Sequence, residues 1–288
     1  MSVKWISQYK NIFGVYNLPP SGKLNSHICR PSEAQIWGDR DWNVLPKIRD
    51  SYCDRKFWEF AYITQALFER GLLEKGKKGL GFACGTEPLP SLFSKYGCRI
   101  TATDAPFDNA NWSLSGEHSS QKNDLYHSTI VDQALFDMNV EFQYADMNDI
   151  PESLNGYDFL WSSCALEHLG SIHNSKDFVY RAMKCLKPGG IAVHTTEINL
   201  RSSIETLMTG SAVALRTIDF IEIAEHLTWK GNRVEPLDFR LDGSELYNDF
   251  GEFSSNGEPP NKPHIALKLG RNLVTSFGLI IQKGGAAD

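Results

Sequence analysis

This 288-residue chain has no standout run of lysine or arginine, and its formal net charge is −6. A nucleic acid or an anionic membrane surface therefore finds little electrostatic footprint in it. The six cysteines (Cys29, Cys53, Cys84, Cys98, Cys164, Cys185) include no CxxC pair. They read as reduced intracellular thiols rather than a disulfide frame or a zinc site. No segment approaches membrane-spanning length, and "MSVKWISQYKNIFG" lacks the continuous apolar stretch of a signal peptide. A soluble, cytoplasmic protein is expected. Internal repeats and low-complexity tracts are missing too. What is present is a globular composition, 41% hydrophobic and 22% charged, with enough length for one large or two small domains.

Residues 1–50 are rich in Pro, Asn, Trp and Arg with poor periodicity, which suggests an irregular arm. The next stretch, "DRKFWEFAYITQALFERGLL", puts Phe57, Phe60, Ala61, Thr64, Leu67 and Phe68 on one helical face, with Asp54 as N-cap and Gly71 as stop. Strands are then expected at 78–84, 99–104, 140–146, 157–163 and 190–197, with helices at "PLPSLFSKYG", 128–137 and 175–190. Strands separated by helix-length connections argue for an α/β fold, a parallel sheet wrapped on both faces. Right-handed crossovers leave the strands' carboxyl ends on one edge, where ligands bind. A helix at 217–227, a polar stretch at 248–263 and a closing antiparallel hairpin end the pattern. The tail "GGAAD" reads as mobile.

Chemistry gathers at the strand ends. Residues 79–90, "GLGFACGTEPLP", run from strand through tight turn to helix, with Ala83 and Glu87 where a dinucleotide fingerprint has glycine. Gly85 lets the backbone reverse and approach a ligand, and Glu87 faces the positive end of a helix. Taken alone, the loop equally fits an ordinary βα turn. Asp104 ends the next strand, 19 positions past Gly85, where a carboxylate can accept ribose hydroxyls. The alternative is a turn aspartate, although "TATDAP" has no good helix directly after it. Asp146 ends the following strand and can accept from an adenine amino group while Met147 packs on the ring; a capping role is the alternative.

These turns, with "LKPGG" before the fifth strand, resemble a class I S-adenosylmethionine-dependent methyltransferase over roughly residues 55–200 and the last hairpin. The resemblance implies a Rossmann-like, mostly parallel sheet of seven strands with a carboxy-terminal antiparallel hairpin and an amino-terminal lid. It divides the chain into a lid (1–75) and a catalytic domain (76–283), with a substrate-covering insertion around 199–263. "WSSCALEHLG" matches the segment bordering the methionine moiety. The first loop departs from the family's Gly-x-Gly-x-Gly, which unsettles the methionine-end contacts. The missing glycines disfavour a pyrophosphate, whereas Glu87 can face the methionine ammonium. The implied cofactor is S-adenosyl-L-methionine, with Ala83, Gly85, Glu87, Asp104, Asp146, Met147, Ser163 and Tyr62 as its contacts.

Methyl transfer to a hydroxyl needs a base. Candidates are His168 and Glu167 in "ALEHLG", and His194, with Glu197, in "VHTTE"; any of them can equally pack or cap. No third metal ligand accompanies His194 and Glu197, so no metal is expected. Trp37 and Trp42, flanked by acids, suit a stacking role against a polar ring such as a sugar. "GTEPLP" and "TATD" resemble methyltransferases found beside bacterial glycan-biosynthesis functions, which implies a small-molecule or glycan acceptor and no nucleic acid. A non-catalytic nucleoside-binding sensor is the second reading.

Overall fold

The computed structural model describes residues 22–106, 118–255 and 258–285. Expectations for residues 1–21, for 111–117 of the polar segment and for the end of the tail fall outside these. In chain order the elements are β1 (Ser26–Ile28), α1 (Pro31–Ile36), α2 (Arg55–Phe68), β2 (Lys78–Phe82), α3 (Leu89–Lys95), β3 (Arg99–Asp104), α4 (Gln133–Asn139), β4 (Val140–Tyr144), β5 (Tyr157–Ser163) and α5 (Ile172–Ala182). There follow β6 (Leu186–Asn199), α6 (Thr217–Trp229), β7 (Arg233–Val234), β8 (Leu237–Asp238), β9 (Gly251–Glu252), β10 (Ala266–Leu269) and β11 (Asn272–Gln282).

The sheet runs β4-β3-β2-β5-β6-β11, parallel throughout except for β11, which lies antiparallel to β6. This is the expected Rossmann-like α/β architecture. Among the described residues the sheet has eleven strands rather than seven, because the position beyond β11 is shared by three strands and two more, β8 on β1 and β9 on β10, pair outside it. β11 is long, and its outer edge is covered in turn by β10 at Asn272–Thr275, β1 at Phe277–Gly278 and β7 at Ile281–Gln282. The expected closing hairpin is β10–β11. Among the described residues no helix is long and apolar enough to cross a membrane.

Helix α2 starts where its cap predicts: the Asp54 side chain accepts from the Lys56 amide, and Gly71 ends the turn beyond with φ +65°. Its inner face lies on β11, where the Tyr62 ring occupies the space over Gly278; a Cβ there would sit 2.1 Å from Tyr62 Cε1. On the same sheet face Phe93 of α3 meets Trp161 edge-on, 5.0 Å between centroids. The opposite face carries α5 and α6, with Phe178 against Phe82 and Phe220 against Phe277. The expected helix at 175–190 ends early, at Ala182, and "LKPGG" belongs to β6. Gly190 permits this because a Cβ would meet the Asp158 and Lys187 carbonyls at 3.1 and 3.0 Å.

Candidate active site

The carboxyl ends of β2, β3 and β4 form one half of the edge. The chain leaves β2 through Ala83 and Gly85, with φ of +49° and +51°. A non-glycine residue in this region stores about 1–3 kcal/mol of strain and persists only where its surroundings fix it. Here the Cys84 amide donates to the Thr103 carbonyl at 3.0 Å. Asp104 is 5% exposed and accepts from three backbone amides, those of Gly85 at 3.1 Å, Ala105 at 2.8 Å and Ser119 at 2.9 Å. The Ser119 hydroxyl donates to the Gly85 carbonyl, so residues on both flanks of the crevice close over this carboxylate. A carboxylate offers about four acceptor positions. Three are taken, so accepting both hydroxyls of a ribose requires one amide to leave.

At the end of β4, Asp146 Oδ1 accepts from the Asn148 amide at 2.7 Å, and Met147 is buried beside it. Glu87 is buried as well. Its Oε1 accepts from Trp161 Nε1 at 2.6 Å, and burial pushes its carboxyl up to about 8.

The ends of β5 and β6 form the other half. The chain turns out of β5 at Cys164, φ +48°, mirroring Ala83. Arg55, at the start of α2, reaches across: Nη1 lies 3.1 Å from Glu59 Oε1 and 3.2 Å from Cys164 Sγ, and Nη2 lies 3.1 Å from Glu197 Oε1. Glu59 also accepts from the Cys164 thiol at 2.9 Å and from the Ser276 hydroxyl, while Lys56 lies 3.5 Å away. Burial alone would raise the Glu59 carboxyl, but Lys56 and Arg55 bring it below its usual range. Burial pushes Glu197 up to about 7 against the pull of Arg55, with Glu167 adding to the rise. Glu167, 1% exposed, accepts from the Thr196 hydroxyl at 2.8 Å through Oε2, and its Oε1 has no hydrogen-bond partner among the described residues. Ligand atoms of Cys164, Glu167 and Glu197 lie within 4.8 Å of one another.

This edge, with its turns after β2, β3, β4 and β5, is the part of the chain that a methyltransferase-domain family model matches, over residues 55–233. The chain belongs to that family. It is an enzyme, and its methyl donor is S-adenosylmethionine. No curated protein sequence matches it. Among solved structures, the methyltransferase is similar to a TehB-like SAM-dependent methyltransferase from Corynebacterium glutamicum, with 14% identity over 88% of this chain and 100% of that one, TM-score 0.43. It is also similar to a SAM-dependent methyltransferase from Methanosarcina mazei (15% identity, 76% and 97% covered, TM-score 0.43). A third, from Clostridium acetobutylicum, shares 13% identity over 88% and 98% of the two chains, TM-score 0.44.

The fold of the methyltransferase brings Ala83, Gly85, Asp104, Asp146, Met147 and Ser163 to one edge, with Glu167 and His168 beside them. Three expected site residues lie elsewhere or face away. Tyr62 is fully buried under β1, its hydroxyl donating to the Asn25 carbonyl at 2.7 Å, so it is a packing residue. His194 is fully buried against Phe178 on the opposite sheet face, its Nδ1 2.8 Å from the Ser162 hydroxyl; burial lowers it to about 3, which keeps it neutral. Glu87 turns its carboxyl onto Trp161 and not toward an ammonium. Trp37 and Trp42 are buried too, Trp42 donating to Gln65 at 3.0 Å, so neither presents a face to a sugar. His168 is half-buried, with Nδ1 2.9 Å from the Ser211 carbonyl; only a protonated nitrogen makes that bond, which leaves the neutral ring's lone pair on Nε2.

Arg55, Glu59, Cys164 and Ser276 escape a reading of the sequence alone. A signal for the first two is there: Arg55 and Glu59 are spaced i, i+4 on the stripe that continues into Tyr62 and Ala66, a charged pair on a helix's apolar face.

Proposed function

We propose that the enzyme transfers the methyl group to a hydroxyl of a small polar acceptor of the sugar or glycan class, held above the ends of β5 and β6. The observation that supports this most is the lining there. Ser163, Cys164, Glu167, Thr196, Glu197 and Ser276 all present hydrogen-bonding groups within one buried cluster, a set suited to hydroxyl ligands. In this reading the adenosine lies over β2, β3 and β4, with the ribose on Asp104 and the adenine between Asp146 and Met147. The sulfonium carbon then points toward Ser163. The acceptor oxygen attacks that carbon in line, the carbon–sulfur bond breaks, and S-adenosylhomocysteine leaves. His168 takes the hydroxyl proton through Nε2. In this reading the lid, described over residues 22–75, and the insertion, described over 199–255 and 258–263, cover the two sides of the crevice. The test is S-adenosylhomocysteine release across a panel of sugars, alcohols and other small acceptors. Turnover confined to acceptors without sugar hydroxyls would overturn the assignment.

A further inference from the structure

Three buried side-chain atoms around one corner of the crevice have no hydrogen-bond partner among the described residues: Arg55 Nε, Glu167 Oε1 and Thr195 Oγ1. An atom left desolvated and unpaired costs stability, so each marks a place where a bonding group is wanted. The corner lies at Glu197. Nη2 of Arg55 is 3.1 Å from Glu197 Oε1, and Nε shares one edge of the planar guanidinium with Nη2. An oxygen of Glu167 lies within 4.8 Å of an oxygen of Glu197. Thr195 is two positions before Glu197 and on the same face of β6.

The chemistry of these atoms names what meets them. Arg55 Nε donates, the carboxylate oxygen of Glu167 accepts, and the Thr195 hydroxyl does either. A metal ion or an ammonium satisfies the carboxylate and leaves the guanidinium unpaired; an anion does the reverse. A hydroxyl group satisfies both. The charges agree. Burial raises Glu197 to about 7, so at lower pH it holds its proton. Glu59 and Glu167 then face Arg55 and Lys56 with neither sign left over. We infer that Arg55 Nε and Glu167 Oε1 read a second hydroxyl of the methyl acceptor, beside the one that His168 deprotonates. No bond to this second oxygen forms or breaks. The inference rests on the reading that the chain methylates a hydroxyl of a small polar acceptor, and it adds what selects that acceptor. The molecule must carry at least two hydroxyls, because an analogue without the second leaves both buried atoms unpaired.

The test uses the full chain saturated with S-adenosylhomocysteine and titrated by calorimetry at about pH 6, where Glu197 keeps its proton. The probes are glucose, glucosamine and tetrahydropyran-2-methanol, which keeps the ring and a single hydroxyl. Glucose should bind at least about tenfold more tightly than tetrahydropyran-2-methanol. Glu167→Leu should weaken glucose at least about fivefold and leave tetrahydropyran-2-methanol within about twofold. Glu167→Gln should keep most of the preference, since its amide offers a hydroxyl both an acceptor and a donor. Both variants should retain S-adenosylhomocysteine affinity. Equal affinity for glucose and tetrahydropyran-2-methanol in the unmodified chain leaves the corner to water and overturns the inference, whether or not a variant folds. So does a loss of both probes alike in Glu167→Leu, which would make Glu167 a packing residue. Glucosamine binding more tightly than glucose, by a margin that Glu167→Leu abolishes, would show a cation site and overturn it as well. Binding of no probe, with S-adenosylhomocysteine bound, would remove the acceptor class itself. Failure of S-adenosylhomocysteine to bind would sink the reading of the function, a result separate from any loss of discrimination.

Discussion

The two halves of the crevice are built from the same kind of turn and end in opposite states. After β2 and after β5 the chain turns through a non-glycine residue with positive φ, Ala83 at +49° and Cys164 at +48°. On the β2 side the carboxylate that matters, Asp104, is already held by three backbone amides. On the β5 side the carboxylates are held by side chains from α2, and Glu167 Oε1 is left without a partner among the described residues. A site held by backbone is fixed by the fold itself, and its ligand must displace something to enter. In the reading proposed above, the methyl donor takes the edge held by backbone and the acceptor the edge held by side chains.

The largest expected effect breaks the side-chain half. Arg55→Met leaves Glu59 and Glu197 buried without their guanidinium and should cost about 3–5 kcal/mol of stability by urea unfolding. A loss below about 1 kcal/mol would mean that the carboxylates are neutral and the ionic account is wrong.

Asp104→Ala acts on the backbone-held half. It should weaken S-adenosylhomocysteine binding by about 1.5–3 kcal/mol in calorimetry, as expected for losing hydrogen bonds to a charged group. Unchanged affinity would remove Asp104 from the donor site.

A third measurement separates the halves by pH. Glu197 and Glu87 are raised from their ordinary 4.5 to about 7 and about 8 by burial. The folded chain keeps these protons where the unfolded chain loses them, so their contribution is full below about pH 4.5 and falls as pH rises through 7 and then 8. Urea midpoints should decline between these values, and Glu87→Gln should flatten the upper part of the decline. An unchanged upper part would mean that Glu87 ionises freely.

The smallest effect compares the turns directly. Ala83→Gly and Cys164→Gly each relieve a left-handed residue but free the unfolded chain, so each should shift stability by no more than about 1 kcal/mol. Cys164→Gly also removes a thiol bonded to Glu59 and should be the less favourable of the two.

The parallel sheet and the polar turns at its strand ends are legible in the sequence because they follow from local signals. Alternating strands and helices dictate a parallel sheet, and "TATD" and "YADMND" end strands whose direction that sheet fixes. Helix α2 is legible for the same reason, from Asp54 to Gly71. What stays hidden depends on packing between distant segments. Nothing local distinguishes Tyr62 over Gly278, 216 positions apart, from a tyrosine lining a crevice. His194 and Glu197 are three residues apart on one strand, but His194 faces Phe178 while Glu197 faces Arg55. Only the pleat and the register with β5 decide which of them reaches the site. The cluster of Arg55, Glu59, Cys164 and Ser276 joins three elements and exists in no single stretch of sequence. At the outer strand position β10 is legible as half of the closing hairpin, whereas β1 and β7 escape notice because each is too short to show a period.

The most direct test of the donor edge is a crystal structure with S-adenosylhomocysteine bound. The ribose hydroxyls should lie on the Asp104 carboxylate, with the Ser119 amide displaced from it and the adenine beside Met147. A nucleoside bound elsewhere, with Ser119 still donating to Asp104, would contradict the account.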